Sequence, residues 1–157
     1  MTIATTVKSF LDQNKINYQL VPHPKTYSSK ESAAAAHVRE DHIAKAIILE
    51  DSQGFVMTVI PGDAWVKFHA INSELNRTLE LAPEGVSEEI FQDCAIGAIP
   101  PFGIAYGLET VVVDEGLTSL ANVYFEAGDH ENLVHVSGES FKRLQSGARH
   151  GYFSHEE

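Results

Sequence analysis

The chain has 157 residues, 43% of them hydrophobic, with 22 acidic and 11 basic side chains and a formal charge of −11. Apolar content near the globular average excludes an intrinsically disordered chain, and no run approaches the ~18 apolar residues of a membrane span. Cys94 is the only cysteine, which excludes an internal disulfide framework, fits a reducing compartment and, with no basic-then-apolar leader at residues 1–10, reads as cytoplasmic. The acid excess is confined to one stretch: residues 1–77 hold 8 basic and 8 acidic side chains, whereas residues 78–141 hold 12 acids and no Lys or Arg. The sum argues against a nucleic-acid partner such as DNA, but its distribution leaves room for a locally basic face.

Residues 6–15 place Val7, Phe10 and Leu11 at helical spacing, and residues 16–21 alternate like a half-buried strand closed by Pro22-His23-Pro24. Ser28 or Ser29 is positioned to cap a helix running through four alanines to Ala36. Residues 45–50 and 55–60 read as a hairpin around Asp51-Ser52-Gln53-Gly54. Residues 65–75 read as a helix, 78–81 as a short strand and 83–91 as an acidic helix initiated by proline. After the Gly/Pro-rich segment 97–103, strand patterns recur at 110–113, 123–126 and 133–136, and Ser137 or Ser140 opens a last helix. Strands interspersed with helices, some joined as hairpins, predict one α/β domain over residues 1–157 with a mixed central β-sheet flanked by helices.

Among chemistry-bearing residues, the three histidine pairs 37/42, 130/135 and 150/155 share a spacing that turns two side chains away from each other on either a helix or a strand. No metal site is therefore expected. The chain lacks a nucleophile elbow, a phosphate-binding loop and a dinucleotide fingerprint, so no cofactor is expected either. Cys94 follows an acid and precedes Ala95-Ile96, a setting for a buried thiol rather than a thiolate.

Three features carry more. Lys45 opens an apolar strand, as a fixed cation for an oxyanion or phosphate or as a lysine with its head in water. Gly97, Ala98, Ile99, Pro100 and Pro101 form a stiff segment, either a loop presenting backbone N–H groups to a carbonyl or an ordinary sheet-edge turn. Gly128 and His130 lie in a hairpin tip, where the histidine is a site residue or a solvated one.

In this order, from residues 29–37 through Lys45, residues 59–63, the loop 97–103 and residues 126–136, the chain resembles the YbaK/ProX family of aminoacyl-tRNA editing domains. The hairpin Gly128-Asp129-His130-Glu131-Asn132 is similar to the ProX branch, and Ala46 stands where the Cys-tRNA branch favours Thr. The resemblance implies a free-standing deacylase for mischarged tRNA, with Lys45 as catalytic or positioning residue. It implies that Gly97, Ala98, Ile99, Pro100, Pro101, Gly128 and His130 hold the aminoacyl end. It further implies alanine on tRNA(Pro) as first substrate, serine or threonine next, and the tRNA acceptor end as partner, with an aminoacyl-tRNA synthetase as a second candidate. Two other readings stand beside it: a non-catalytic tRNA- or synthetase-binding module of the same fold, and a small-molecule esterase or amidase. An aminoacyl ester is already activated, so a lysine and a rigid loop can suffice without a nucleophile triad. Lys25, Lys30, Arg39, Lys45 and Lys67, all in the neutral half, are the cations available to RNA.

Overall fold

In the computed structural model, which describes residues 3–83 and 85–156, the chain begins with helix α1 (Thr5–Gln13), strand β1 (Gln19–Pro22) and helix α2 (Ser29–Ala36). The hairpin of β2 (Ala44–Asp51) and β3 (Gly54–Pro61) follows, then β4 (Ala64–Val66), α3 (Phe68–Leu75), β5 (Glu80–Leu81) and the short α4 (Val86–Ile90). The last part holds β6 (Val111–Asp114), α5 (Glu115–Thr118), β7 (Asn122–Glu126) and β8 (Asn132–Ser137). It ends with α6 (Gly138–Leu144), β9 (Arg149–Gly151) and β10 (Ser154–Glu156).

Local chemistry accounts for the boundaries that position the site. Ser28 caps α2 by accepting the Glu31 amide at 3.1 Å, while the Glu31 carboxylate accepts the Tyr27 amide at 3.1 Å, a reciprocal arrangement close to a capping box. The helix ends on His37 in the left-handed region, φ 59°. Its small side chains let it lie close against its neighbours: Ala33 packs with Ile43 and Leu133. Helix α6 is likewise capped by Ser137, which accepts the Ser140 amide at 3.1 Å.

Five strands form the expected mixed sheet in the order β5-β2-β3-β6-β9. Strands β2 and β3 are antiparallel, whereas β3 with β6 and β6 with β9 are parallel. A second, antiparallel sheet has the order β1-β8-β7, joined to the first by a bridge between Ile43 and Tyr124. Strands β4 and β10 make a separate ribbon.

Local pattern misjudged three regions. Residues 65–75 are not one helix: Trp65 and Val66, extended by preference, pair with His155 and Ser154 on β10, and α3 begins only at Phe68. The partner strand lies far along the chain and has no local signature. The strand expected at 16–21 is displaced to 19–22, because its register is set by β8. Of the helix expected at 83–91, Val86–Ile90 is helical, and residue 84 lies outside the described residues.

Alternation along β2 sorts its side chains between two cores. Ala44, Ala46 and Ile48 pack into the larger one with Phe102, Phe125 and Phe141, while Ile47 and Leu49 join Ile71, Val112 and Phe153 on the other side. Phe102 is the aromatic centre of the larger core, 5.2 Å from the Phe10 ring and edge-on to Phe125 at 4.8 Å. It thereby anchors the end of the 97–103 segment. Replacing Phe102 by Ala is expected to cost about 3–5 kcal/mol and to loosen the 97–101 loop. Urea denaturation and amide exchange measure the two effects, and a cost below about 1 kcal/mol contradicts the anchoring role.

Candidate active site

Lys45 is the second residue of β2 and lies opposite Ile60 of β3. Alternation turns its side chain to the face of Ile47 and Leu49, where it is half-buried. One N–H of its ammonium is donated to the Ala64 carbonyl at 3.0 Å. Burial pulls the ammonium below its ordinary pKa, against the raising effect of the Glu40 and Asp63 carboxylates. A cation that is partly stripped of water, fixed at one N–H and, among the described residues, unpaired at two others acts on a developing negative charge far more strongly than a solvated lysine does. It stands in a cleft of about 250 Å³, lined also by Lys30, Glu40, Asp63, Ala64 and Trp65. Trp65 is 54% exposed, a face suited to stacking a planar ring. Gly62 closes the cleft floor, since a Cβ there would lie 2.7 Å from the Glu40 carbonyl.

The loop and the hairpin tip come together at a second place. His130, with φ 59° and only 3% exposed, donates its Nε2–H to the Ile96 carbonyl. Gly97 packs against the His130 ring and takes φ 80°, a backbone conformation that favours glycine. Gly128 (φ 106°) accepts the Ala95 amide at 2.7 Å, and a Cβ there would meet Ala4 and the Cys94 sulfur at 2.9 and 3.2 Å. Ala98 is fully buried and spends its amide on the Ala95 carbonyl at 3.1 Å. The amides of Gly97 and Ile99 donate no hydrogen bond among the described residues. Pro100 and Pro101 are buried, and the Pro101 carbonyl accepts the Gln145 amide at 2.8 Å.

Of the predicted site residues, the fold therefore joins Gly97, Ala98, Gly128 and His130. Lys45 occupies its own cleft, whose lining does not include the loop. Residues 23–31 run between the two. Ser29 borders Gly62, Lys30 lines the Lys45 cleft, and the Tyr27 ring lies 5.6 Å from the ring of His130. Sequence reading missed Trp65, Asp63 and a buried polar group beneath Tyr27: His23, Thr26, Ser32 and Glu126. Nothing in the sequence marks that group, because its members are polar residues whose burial arises only when α2 docks on β7.

The remaining candidates behave as structural groups. Burial pushes the Cys94 thiol up to about 12, with the Asp93 carboxylate adding to the effect, so it is no nucleophile. Burial also raises the Asp93 carboxyl, but hydrogen bonds from Thr6 and Tyr106 outweigh it and hold the group below its ordinary value. Among the described residues no group of three His, Cys, Asp or Glu is arranged to hold a metal ion. A larger cleft of about 560 Å³ surrounds Arg77 and Asp51, but its one cation is spent on Asp51, with Arg77 Nε donating to the Asp51 carboxylate at 2.7 Å.

The model of the aminoacyl-tRNA editing domain family matches residues 23–144, well over half of the chain. The chain is 27% identical over 153 residues to the prolyl-tRNA editing protein ProX of Acetoanaerobium sticklandii, covering 86% of this chain and 92% of that one. It is 26% identical over 134 residues to the proline–tRNA ligase of Thermosipho melanesiensis, covering 84% of this chain but spanning only 23% of the ligase. Among solved structures, the hypothetical protein APE2540 matches with a TM-score of 0.84 at 24% identity, over 96% of this chain and 99% of that one. A provisionally described trans-editing enzyme for prolyl tRNA synthetase matches with 0.81 at 20% identity, over 96% and 95%. At these identities the two structures testify to the fold.

The Cys94 environment gives a direct chemical expectation. At pH 8 the native thiol is alkylated by iodoacetamide at least a hundredfold more slowly than in urea, because the thiolate fraction falls tenfold for each unit of raised pKa. Equal rates in the two states contradict the buried, acid-flanked setting.

Proposed function

The chain belongs to the aminoacyl-tRNA editing domain family, and from that premise we propose that it is a trans-editing deacylase that hydrolyses the ester of mischarged aminoacyl-tRNA. Alanine on tRNA(Pro) is the first substrate, with serine or threonine next. The observation that carries this reading is the half-desolvated ammonium of Lys45, held by the Ala64 carbonyl at the mouth of a cleft with an exposed tryptophan. The similarity to ProX over nearly the full length of both chains supports the substrate.

In this reading water adds to the ester carbonyl carbon, and negative charge grows on the carbonyl oxygen. The two free N–H groups of Lys45 receive that charge. Collapse of the adduct breaks the bond to the ribose oxygen, which leaves as the tRNA hydroxyl with one proton of the attacking water, while the other proton passes to solvent and the amino acid departs as its carboxylate. The Gly97 and Ile99 amides hold the aminoacyl end, and the packing of the loop against Gly128 and His130 limits its size. Size exclusion of this kind is worth only a few kcal/mol per methylene, so rejection of large residues is firm and discrimination among small ones is modest.

The grip on RNA is slight. Arg39 is paired with Asp41 at 2.7 Å, whereas Lys25, Lys30 and Lys67 make no ion pair among the described residues. Those three suffice for the acceptor end alone, and an aminoacyl-tRNA synthetase as partner would supply the rest.

Lys45→Ala is expected to lower kcat/KM on alanyl-tRNA(Pro) by at least a hundredfold with an unchanged melting temperature. A panel of mischarged tRNAs, assayed for released amino acid at two salt concentrations, makes the measurement. Wild-type turnover by that variant contradicts the role of Lys45. Retarded tRNA mobility with no amino acid released identifies a binding module instead. Each phosphate contact contributes a slope of roughly one in log–log salt dependence, and a slope beyond about four contradicts the slight grip.

A further inference from the structure

Beneath Tyr27 lies a group of polar side chains whose hydrogen bonds do not close. His23, Glu126 and His130 are 8%, 9% and 3% exposed, and His23 Nε2, Glu126 Oε2 and His130 Nδ1 are fully buried without a partner. Buried polar atoms are nearly always paired, so three orphans in one group call for an explanation.

Their partners fix which kind of group is missing. His23 Nδ1 is 2.7 Å from the Pro24 carbonyl, and His130 Nε2 contacts the Ile96 carbonyl. A carbonyl can only accept, so each of these nitrogens carries a proton, and in a neutral ring the opposite nitrogen presents a lone pair. Glu126 Oε1 accepts the Ser32 hydroxyl at 2.7 Å, and Ser32 in turn accepts from Thr26 at 2.6 Å. The hydroxyl protons are then spent. With Glu126 ionised, the three orphans are three acceptors. With it protonated, as burial favours, a single proton is left for two ring nitrogens. With both rings neutral the group lacks donors in either state of Glu126. Both histidines lie close enough to act electrostatically on Glu126.

We propose that Glu126, His23 and His130 form the subsite for the α-ammonium group of the esterified amino acid. An ammonium brings three N–H donors and one positive charge to three acceptors, of which one is a carboxylate. The placement agrees: His130 touches the loop carbonyl of Ile96, next to the free amide of Gly97. Tyr27, 69% exposed, lies on the His130 side of the group, its ring 5.6 Å from that of His130. This subsite rests on the editing reading and adds to it the recognition of a free amine. It separates aminoacyl-tRNA from any N-acylated or peptidyl ester.

The test compares alanyl-tRNA(Pro) with N-acetyl-alanyl-tRNA(Pro), which differs only in lacking the ammonium. Wild type is expected to prefer the free amine roughly ten- to a hundredfold in kcat/KM, the span of a charge-assisted hydrogen bond. Glu126→Gln is expected to collapse that ratio toward one. Its amide keeps the bond from Ser32 and donates to a ring nitrogen, so it melts no lower than wild type at neutral pH. A wild-type ratio near one, or a ratio that Glu126→Gln leaves unchanged, overturns the subsite.

A second arm needs no tRNA: alaninamide, but not N-acetylalaninamide, shifts the imidazole NMR signals of His23 and His130. Deacylation with neither discrimination nor shift removes the subsite and leaves the editing activity standing. Shifts in the absence of any deacylation uphold the subsite and remove the editing reading.

Discussion

The turn between β7 and β8 is the joint on which the N-terminal segment, the 94–97 loop and the approach to α2 are assembled. Its own shape is held by Asp129, whose carboxylate accepts the amides of Glu131 and Asn132 at 3.0 Å each and the Asn132 side chain at 2.6 Å. Four backbone bonds then dock three distant segments on it. Ala4 donates to Ala127 at 2.7 Å, Ala95 to Gly128 at 2.7 Å, His23 to Glu131 at 2.9 Å and Thr26 to His130 at 3.2 Å. The N-terminal segment, the 94–97 loop and the approach to α2 thus share one support. Buried backbone groups must be paired, so these segments take their positions from the turn rather than from side-chain packing alone.

This arrangement explains why a small acidic domain can present a precise site on loops. The loop that contains Gly97 is tied to the turn at one end through Ala95 and to the aromatic core at the other through Phe102. His130 takes φ 59° because the turn imposes it, and its ring consequently reaches back to the Ile96 carbonyl. Lys45 is positioned by independent means, the β2–β3 hairpin register and the Ala64 carbonyl. Residues 23–31 border both places, Lys30 lining the Lys45 cleft and the Tyr27 ring lying 5.6 Å from that of His130.

Much of this was legible in the sequence where the signal is local. The α2 cap at Ser28, the β2–β3 hairpin and the turn at Gly128 follow from capping and turn chemistry, and Lys45, the loop and His130 stand out because charge, Gly/Pro stiffness and turn position are local properties. Pairing across distance is not local. The β4–β10 ribbon hides inside an apparent helix, and the division into two larger sheets depends on which strands meet. Glu126 reads as the polar end of a strand and becomes a buried carboxylate only because α2 brings Ser32 against it. The separation of Lys45 from the loop was equally invisible, since β2 alternation fixes the face only after the cores on either side are known.

The central claim is that these two places act on a single ligand, the aminoacylated terminal adenosine. The most direct measurement is a crystal structure with 3′-deoxy-3′-alanylamido-adenosine, whose amide replaces the labile ester. The account predicts the alanyl carbonyl oxygen within hydrogen-bond reach of Lys45 Nζ, the α-ammonium against Glu126 and the adenine on Trp65. An alanyl group bound away from Lys45, or an ammonium left in solvent with the His23–Glu126–His130 group still closed, contradicts it.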